Sequence, residues 1–223
     1  MTNIPNSFRK FAIMIKTFYF NDLRTCCYVL WDDTKECVIV DAGCYSESEK
    51  GRLAKFVYEN GLKPVKLLQT HGHFDHVMGC MFARKQWDIP AYMNHGDIPQ
   101  VARASSYGGY FGYSFEDPGE EFIDLKDGDE ITFGHTALKV LHTPGHSKGG
   151  VVYYNEAEKY VITGDSLFAQ SIGRTDLPGG DLDELMASLK NKILTLPEET
   201  KVYPGHGPAT DIATEKQTNP FMM

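Results

Sequence analysis

The chain has 223 residues, 42% of them hydrophobic, and a formal net charge of −8. This length and composition predict one globular domain over residues 1–223, large enough for a substantial core. The acidic balance argues against nucleic-acid binding and against adhesion to anionic membranes, because both favour a cationic surface. No apolar stretch approaches the roughly 20 residues that a membrane-spanning helix needs.

The N-terminal stretch MTNIPNSFRKFAIMIKTFYF mixes basic and apolar residues as a signal peptide does. Its apolar residues alternate, however, it contains Lys16, and no small-residue cleavage site follows, so a first strand is the better interpretation. The cysteines show no C-x-x-C spacing, which favours reduced, buried thiols and a cytoplasmic location. They are Cys26, Cys27, Cys37, Cys44 and Cys80.

Strand-like and helix-like segments alternate in the first half of the chain. Runs rich in β-branched and aromatic residues predict strands at 11–20, 25–32, 37–43, 64–70 and 89–93. A helix is predicted at 46–62, where Ser46 or Ser48 caps the start and Gly61 ends it. Two more helices, at 76–87 and 95–104, precede the predicted loop SSYGGYFGYSFEDPGE at 105–120.

The second half repeats this mixture. Strands are predicted within 129–146, 149–155, 159–165 and 201–207, with a helix at 181–197 and a short helical tail. Two similar halves of strands and helices indicate two sheets packed face to face with helices outside, which is a mixed α/β architecture.

Polar metal-binding residues follow four of the predicted strands. Three stretches, THGHFDH, TPGHSKGG and YPGHGP, place histidines after an apolar strand and a Gly or Pro, and VITGDSLF presents an aspartate in the same way. Strands that end at one edge of a sheet deliver their terminal residues to one place. Seven nitrogen and oxygen ligands are expected to converge there: His71, His73, Asp75, His76, His146, Asp165 and His206.

The residue types suit zinc, iron or manganese, which bind imidazole and carboxylate, and no cysteine is placed to make a thiolate site. One ion takes three histidines, a second takes Asp75 with two histidines, and a shared carboxylate holds the ions about 3.5–4 Å apart. The alternative is a chance cluster of ordinary histidines, which the density of the pattern disfavours. The three remaining histidines, His95, His135 and His142, are predicted to be ordinary.

THGHFDH resembles the T-H-x-H-x-D-H signature of the metallo-β-lactamase superfamily, and HTPGHSKGG, TGDSLF and YPGHG resemble its later motifs. The likeness covers essentially the whole chain. SLFAQSIGRTDLPGGD resembles glyoxalase II, in particular the short bacterial hydroxyacylglutathione hydrolases. The resemblance implies a four-layer αββα sandwich with a dinuclear site at one edge of the sheets. It assigns His71, His73 and His146 to the first ion, Asp75, His76 and His206 to the second, and Asp165 to the bridge between them.

The chemistry implied is that of a metal-dependent thioester hydrolase. Two divalent ions, zinc or alternatively iron or manganese, bring the pKa of bound water to about 7, and the resulting hydroxide attacks the acyl carbonyl. Asp75 orients this nucleophile and carries a proton as the catalytic residue. The expected substrate is a small-molecule thioester such as a 2-hydroxyacyl-glutathione, turned over by a monomer or a homodimer. The acyl group, the thiol carrier and the metal stay open.

Other branches of the superfamily fit the sequence less well. Secreted two-zinc β-lactamases commonly carry cysteine where Asp165 stands, flavo-diiron proteins carry an acid where His73 stands, and tRNA-processing nucleases are usually longer. The main rival is persulfide dioxygenase, because the segment GRTD at 173–176 resembles that branch. The resemblance implies a single iron, bound in this chain by His71, His146 and Asp165. A hydrolase of this fold with another substrate and a non-catalytic metal scaffold are the remaining alternatives.

Substrate contacts are where the sequence departs from long glyoxalase II enzymes. The sequence shows no counterpart of the helical C-terminal domain that those enzymes carry. Pro208 and Asp176 stand at two positions where those enzymes have tyrosine. Arg174 matches a basic position of the family and is predicted to bind a carboxylate, with a structural ion pair as the alternative. Lys148 is a weaker candidate.

The predicted loop SSYGGYFGYSF, at 105–115, combines glycines with aromatic residues. Its glycines suggest mobility, and its tyrosines offer a partly polar surface. Tyr107 is therefore predicted to line the substrate site, and an oligomer contact is the alternative for this segment.

Overall fold

The computed structural model describes residues 13–222, so residues 1–12 and their part of the first predicted strand lie outside it. Within the described range, two six-stranded sheets and a small two-stranded sheet account for the strands. None of the helices in this range is long and apolar enough to cross a membrane.

The first sheet is built from the first half of the chain. Its strands, in spatial order, are β1 (Met14–Phe20), β2 (Thr25–Trp31), β3 (Glu36–Val40), β4 (Lys63–Leu68), β5 (Ala91–Met93) and β6 (Ile123–Asp124). The first three pair antiparallel, and β3 to β6 pair parallel. Parallel neighbours require a crossover, and the helices of this half provide it.

The second sheet comes from the second half. Its strands, in chain order, are β7 (Glu130–Phe133), β8 (Thr136–His142), β9 (Val151–Asn155), β10 (Tyr160–Gly164), β13 (Lys201–Pro204) and β14 (Thr210–Asp211). β10 and β13 run parallel, whereas the other pairs are antiparallel. The short strands β11 (Leu167–Phe168) and β12 (Ser171–Ile172) form the separate hairpin.

The helices cover the outer faces of the two sheets. They are α1 (Glu47–Glu59), α2 (Phe74–Val77), α3 (Cys80–Trp87), α4 (Ile98–Val101), α5 (Ala104–Tyr110), α6 (Leu182–Ser188) and α7 (Ile212–Thr218). A central core of β2, β3 and β8–β10 side chains lies between the sheets, one outer core lies under α1 and α3, and another lies under α6 and α7. Three cores require four layers, which confirms the predicted αββα sandwich.

The predicted helix at 46–62 is confirmed as α1, where Ser46 and Glu49 form a capping box and Asn60 ends the helix. The predicted helix at 76–87 is instead two helices, α2 and α3, separated at Gly79. A side chain at Gly79 would lie 2.3 Å from the Cys44 sulfur, and the Gly79 amide donates to the Ala42 carbonyl oxygen. Tertiary contact therefore interrupts a segment whose local pattern favours one helix.

Three other segments differ from the expectation. The predicted loop at 105–120 begins inside α5, so Tyr107 lies on a helix. The predicted helix at 181–197 ends as α helix at Ser188 and continues as a π-helical turn to Ile193. The predicted helical tail contains β14 before α7.

Candidate metal centre

Four strand ends meet at one edge of the sandwich. His71 and His73 follow β4 of the first sheet, and Asp75 and His76 lie on α2 directly after them. The second sheet adds one ligand candidate after each of β8, β10 and β13, namely His146, Asp165 and His206. Backbone hydrogen bonds from Val151 to Thr70 and from Cys26 to Gly205 join the two sheets at this edge. All seven predicted ligands therefore lie together.

Three imidazoles form the first group. The Nε2 of His146 lies 3.3 Å from the Nε2 of His71 and 2.8 Å from the Nδ1 of His73. Nitrogen ligands at about 2.1 Å from a tetrahedral ion lie about 3.4 Å apart. This first trio is thus close to the spacing of three ligands of one ion.

Two imidazoles and a carboxylate form the second group. The Nε2 of His76 lies 3.3 Å from the Nε2 of His206 and 3.5 Å from the Oδ2 of Asp75. The same carboxylate oxygen is 3.3 Å from the Nε2 of His206. This second trio has the spacing of ligands around another ion.

Asp165 lies between the two trios. Its Oδ1 is 3.4 Å from the Nε2 of His76, and its Oδ2 is 3.6 Å from the Nε2 of both His146 and His206. One carboxylate thus reaches ligand atoms of both groups, as a bridge must. Its Oδ1 is buried without a hydrogen-bond partner among the described residues, an arrangement that a cation would satisfy.

The outer nitrogen of four imidazoles is already occupied. The Nδ1 of His76 lies 2.9 Å from an Asp41 oxygen, and the Nδ1 of His71 lies 3.0 Å from the Thr70 hydroxyl. The Nδ1 atoms of His146 and His206 contact backbone carbonyl oxygens of residues 174 and 23 at 2.7 and 3.0 Å. A proton on each Nδ1 leaves the Nε2 lone pair directed at the centre, which is the tautomer that a metal ligand needs.

The electrostatics differ between the two trios. Burial, with the neighbouring imidazoles, lowers the pKa of His71 well below its usual range and that of His73 to about 3. Burial alone raises the pKa of Asp75, but His76 and His206 outweigh it and hold the pKa at about 2. At neutral pH the Asp75 carboxylate is therefore ionised and His71 and His73 are neutral, as metal binding requires. Burial lowers the pKa of His76 and His206, but the neighbouring Asp75 and Asp165 outweigh it and raise both, so these two imidazoles release protons when they bind a cation. The donor set and its spacing fit two divalent cations.

Comparison with known proteins places this geometry in a family. The sequence profile of the Metallo-beta-lactamase superfamily matches residues 21–206. The chain belongs to the metallo-β-lactamase superfamily. Among its relatives, the probable metallo-hydrolase YqgX of Bacillus subtilis is 41% identical over 87% of this chain and 90% of its own. The hydroxyacylglutathione hydrolase GloC of Haemophilus influenzae is 33% identical over 88% of this chain and 92% of its own.

Three solved structures of the superfamily share the fold. BLEG-1, a B3 metallo-beta-lactamase, has a TM-score of 0.84 and 38% identity, covering 94% of this chain and 100% of its own. TTHA1623 in a di-iron-bound form has a TM-score of 0.84 and 36% identity, covering 92% of this chain and 99% of its own. ETHE1 from Myxococcus xanthus has a TM-score of 0.75 and 28% identity, covering 93% of this chain and 83% of its own.

Sequence reasoning missed the residues that position the ligands of this superfamily site. Asp41 receives hydrogen bonds from both the amide and the hydroxyl of Thr70 in addition to its contact with His76. The Thr25 hydroxyl donates to Asp75 Oδ2 at 2.7 Å. Asp41 follows β3 as Asp165 follows β10, but an aspartate after a strand is common in turns, so its position alone does not mark it. Nothing in the local sequence marks Thr25.

Asp97 is a third missed residue, buried between two ligand loops. Its carboxylate accepts hydrogen bonds from the amides of Gly72 and Gly149 and from the Ser147 hydroxyl. Gly72 lies between His71 and His73, and Ser147 follows His146. Asp97 therefore fixes the two loops of the first trio relative to each other.

The three predicted substrate residues lie near the centre but outside it. Arg174 forms a two-pronged ion pair with Asp176, with 2.7 and 2.8 Å contacts, which is the structural pairing named above as its alternative. Lys148 is 3.3 Å from Glu184. Tyr107 packs edge-on against Phe74, beside the first trio. The structure leaves their roles toward substrate as predictions.

The three histidines predicted to be ordinary lie outside both trios. His95 contacts the Phe122 carbonyl oxygen, and His142 contacts that of Lys148. The His135 amide donates to Asp32 in the turn between β7 and β8.

Proposed function

We propose that the protein is a dinuclear metallo-hydrolase that cleaves thioesters, in the manner of the hydroxyacylglutathione hydrolases. The observation that carries the proposal is the second trio, whose imidazoles are oriented from outside by Asp41 and by the Leu23 carbonyl oxygen as firmly as those of the first. The hydrolase names of YqgX and GloC and the di-iron form of TTHA1623 support it.

When bound, two divalent ions acidify water and polarise an acyl carbonyl. The chain's own contribution begins with Asp75, whose low pKa keeps it ionised and whose Oδ2 is held by Thr25. As a base within the second trio, it orients the attacking water and accepts its proton. Water then adds to the acyl carbon and the C–S bond breaks, so the products are a carboxylic acid and a thiol.

Zinc is the proposed metal, with iron or manganese as alternatives, since imidazole and carboxylate accept all three. Glutathione is the proposed thiol carrier on the strength of the GloC name. Lys148 and Tyr107 line the cavity beside the first trio, and the Arg174 carbonyl oxygen contacts His146. These three residues are the proposed substrate contacts. Release of Arg174 from Asp176 would free it to bind a substrate carboxylate.

Persulfide dioxygenase is the second candidate, because the ETHE1 structure shares the fold at 28% identity. It would use one iron held by His71, His146 and Asp165 and would leave the second trio idle. β-Lactam hydrolysis deserves an assay as well, because BLEG-1 is 38% identical and is named a B3 metallo-beta-lactamase.

The variant His206→Ala separates the two main candidates, since it removes a ligand of the second trio alone. For the hydrolase, we expect metal content to fall from about two equivalents to about one and release of thiol from lactoyl-glutathione to be lost. His95→Ala, a histidine outside both trios, is the matched control and should behave as wild type. Oxygen uptake with glutathione persulfide that survives in His206→Ala, with no thioester cleavage in wild type, would establish the dioxygenase instead.

A further inference from the structure

A cavity of about 360 Å³ opens beside the first trio, between α4, the start of α5 and the segment 177–179. It is continuous with the metal centre, because Gly72 and His73 form part of its wall. Ligand sites in proteins typically occupy about 300–1,000 Å³. The cavity therefore has the size of a ligand subsite and lies next to the reacting position.

The walls of this cavity are mainly apolar. The side chains that give this character are Phe74, Pro99, Ala104, Tyr107, Leu177 and Pro178. The one carboxylate in the wall, that of Asp97, is fully engaged by two backbone amides and a hydroxyl. Two cationic side chains, Arg103 and Lys148, also line the cavity, but both are exposed to solvent, and Lys148 is paired with Glu184 at 3.3 Å. The rest of the wall offers mainly hydrophobic contact.

The cavity is preformed by close packing. A side chain on Gly72 would lie 2.9 Å from Val101 of α4, and one on Gly108 of α5 would lie 2.7 Å from the Phe115 ring. The ring of Phe74 stacks on Phe111 with centroids 5.5 Å apart. Because these contacts hold the walls in place, an occupant would not have to order them on binding.

We propose that this cavity binds the acyl group of the thioester, and that the preferred acyl groups are extended aliphatic or aromatic chains larger than lactoyl. The proposal rests on the thioester hydrolase function. A thioester reacting at the metals extends two arms from its carbonyl carbon. A carrier such as glutathione has carboxylates, which the solvent-exposed Arg103 and Lys148 can pair with, but its amides and ammonium group would lose water against the apolar walls without gaining partners. An apolar acyl chain gains by entering the cavity.

The first test measures binding without turnover, using S-methyl-, S-butyl- and S-hexylglutathione with the zinc-loaded protein in a calorimeter. Affinity should rise about fourfold for each added methylene until the cavity is full. Leu177→Trp, which places an indole in the cavity, should remove this dependence on chain length. Gln100→Phe, on the α4 side, is a second filling variant in case Leu177→Trp does not fold. Leu182→Trp is the matched control, because Leu182 is 50% exposed and lies outside the cavity.

The second test compares turnover of lactoyl-, butanoyl- and hexanoyl-glutathione. The proposal expects kcat/KM to be highest for the longer acyl groups in wild type and in Leu182→Trp, and the preference to be lost in Leu177→Trp. Equal affinity of the wild type for all three S-alkylglutathiones would overturn the proposal. If Leu177→Trp also weakens binding of S-methylglutathione and chain length has no effect, the cavity binds the carrier instead. Chain-length-dependent binding with no thioester turnover would retain the cavity as an apolar subsite and overturn the proposed reaction.

Discussion

At the scale of single residues, the metal centre depends on side chains that are not among its predicted ligands. Asp41 illustrates this, because its carboxylate contacts the outer nitrogen of His76 and is itself held by Thr70. A carboxylate in this position fixes the ring orientation and makes the inner nitrogen a better ligand. The ligand geometry at the second trio is therefore set partly by β3, one strand away from the ligand loop.

The variant Asp41→Asn tests this dependence. Asn keeps the shape of the side chain and tolerates the left-handed backbone of this position, where φ is 52°. We expect affinity for the second ion to fall by about 10- to 100-fold, because His76 loses its anionic partner. Competition with a chromophoric chelator measures it. Asp183→Asn, at an exposed position of α6, removes the same charge outside the cluster and should leave affinity unchanged; equal losses in both variants would refute the role of Asp41.

The seven ligand candidates could be predicted from sequence and Asp41 could not, for a physical reason. Imidazoles after a strand and a Gly or Pro are rare without a metal to bind, so their local pattern is informative. An aspartate after a strand is common in turns. Only the pairing of β3 with β4 brings Asp41 to Thr70 and His76, and long-range pairing leaves no local signal.

At the scale of elements, α5 shows where local propensity misleads. Its sequence ASSYGGY contains two glycines, which disfavour a helix. Packing provides what propensity does not, since Tyr107 and Phe111 both contact the Phe74 ring. Gly108 also allows the helix to approach Phe115 closely. Tertiary contacts stabilise short helices of this kind, whereas the strongly patterned α1 was predictable with its cap.

The two tyrosines of α5 are expected to differ in their effect on substrate binding, although the sequence analysis treated the tyrosines of this segment together. Tyr107 is 37% exposed and lines the cavity, whereas Tyr110 is 87% exposed. Tyr107→Ala should raise KM for hexanoyl-glutathione several-fold, because it removes one wall of the acyl site. Tyr110→Ala is the matched control and should leave KM unchanged. Steady-state kinetics with metal content measured in parallel decide this, and equal KM values for the two variants would contradict it.

At the scale of the whole molecule, the metal centre joins the two sheets at one edge. The first half of the chain supplies His71, His73, Asp75 and His76, and the second half supplies the other three ligand candidates. At the far end of β2, Asp32 joins the sheets without metal, accepting from the His135 amide and the Thr136 hydroxyl. The αββα layering was predictable because the ligand motifs carry the family resemblance. The junction at Asp32 was not predictable, because Asp32 and Thr136 are 104 residues apart in the sequence.

Removing the metal should therefore weaken the molecule without dividing it. Ions that bind only the folded chain add about 2.7 kcal/mol at a hundredfold excess over Kd, and 1 kcal/mol corresponds to about 2–4 °C in a chain of this size. Because a chelator removes two such ions, at about 2.7 kcal/mol each, we expect it to lower Tm by about 10–20 °C. Unfolding should stay a single transition, because the Asp32 junction and the central core remain. Scanning calorimetry with and without chelator measures this. His206→Ala, with one trio intact, should show a smaller drop. Identical Tm values with and without chelator would mean that the ions do not stabilise the fold, and two separate transitions would mean that only the metals hold the sheets together.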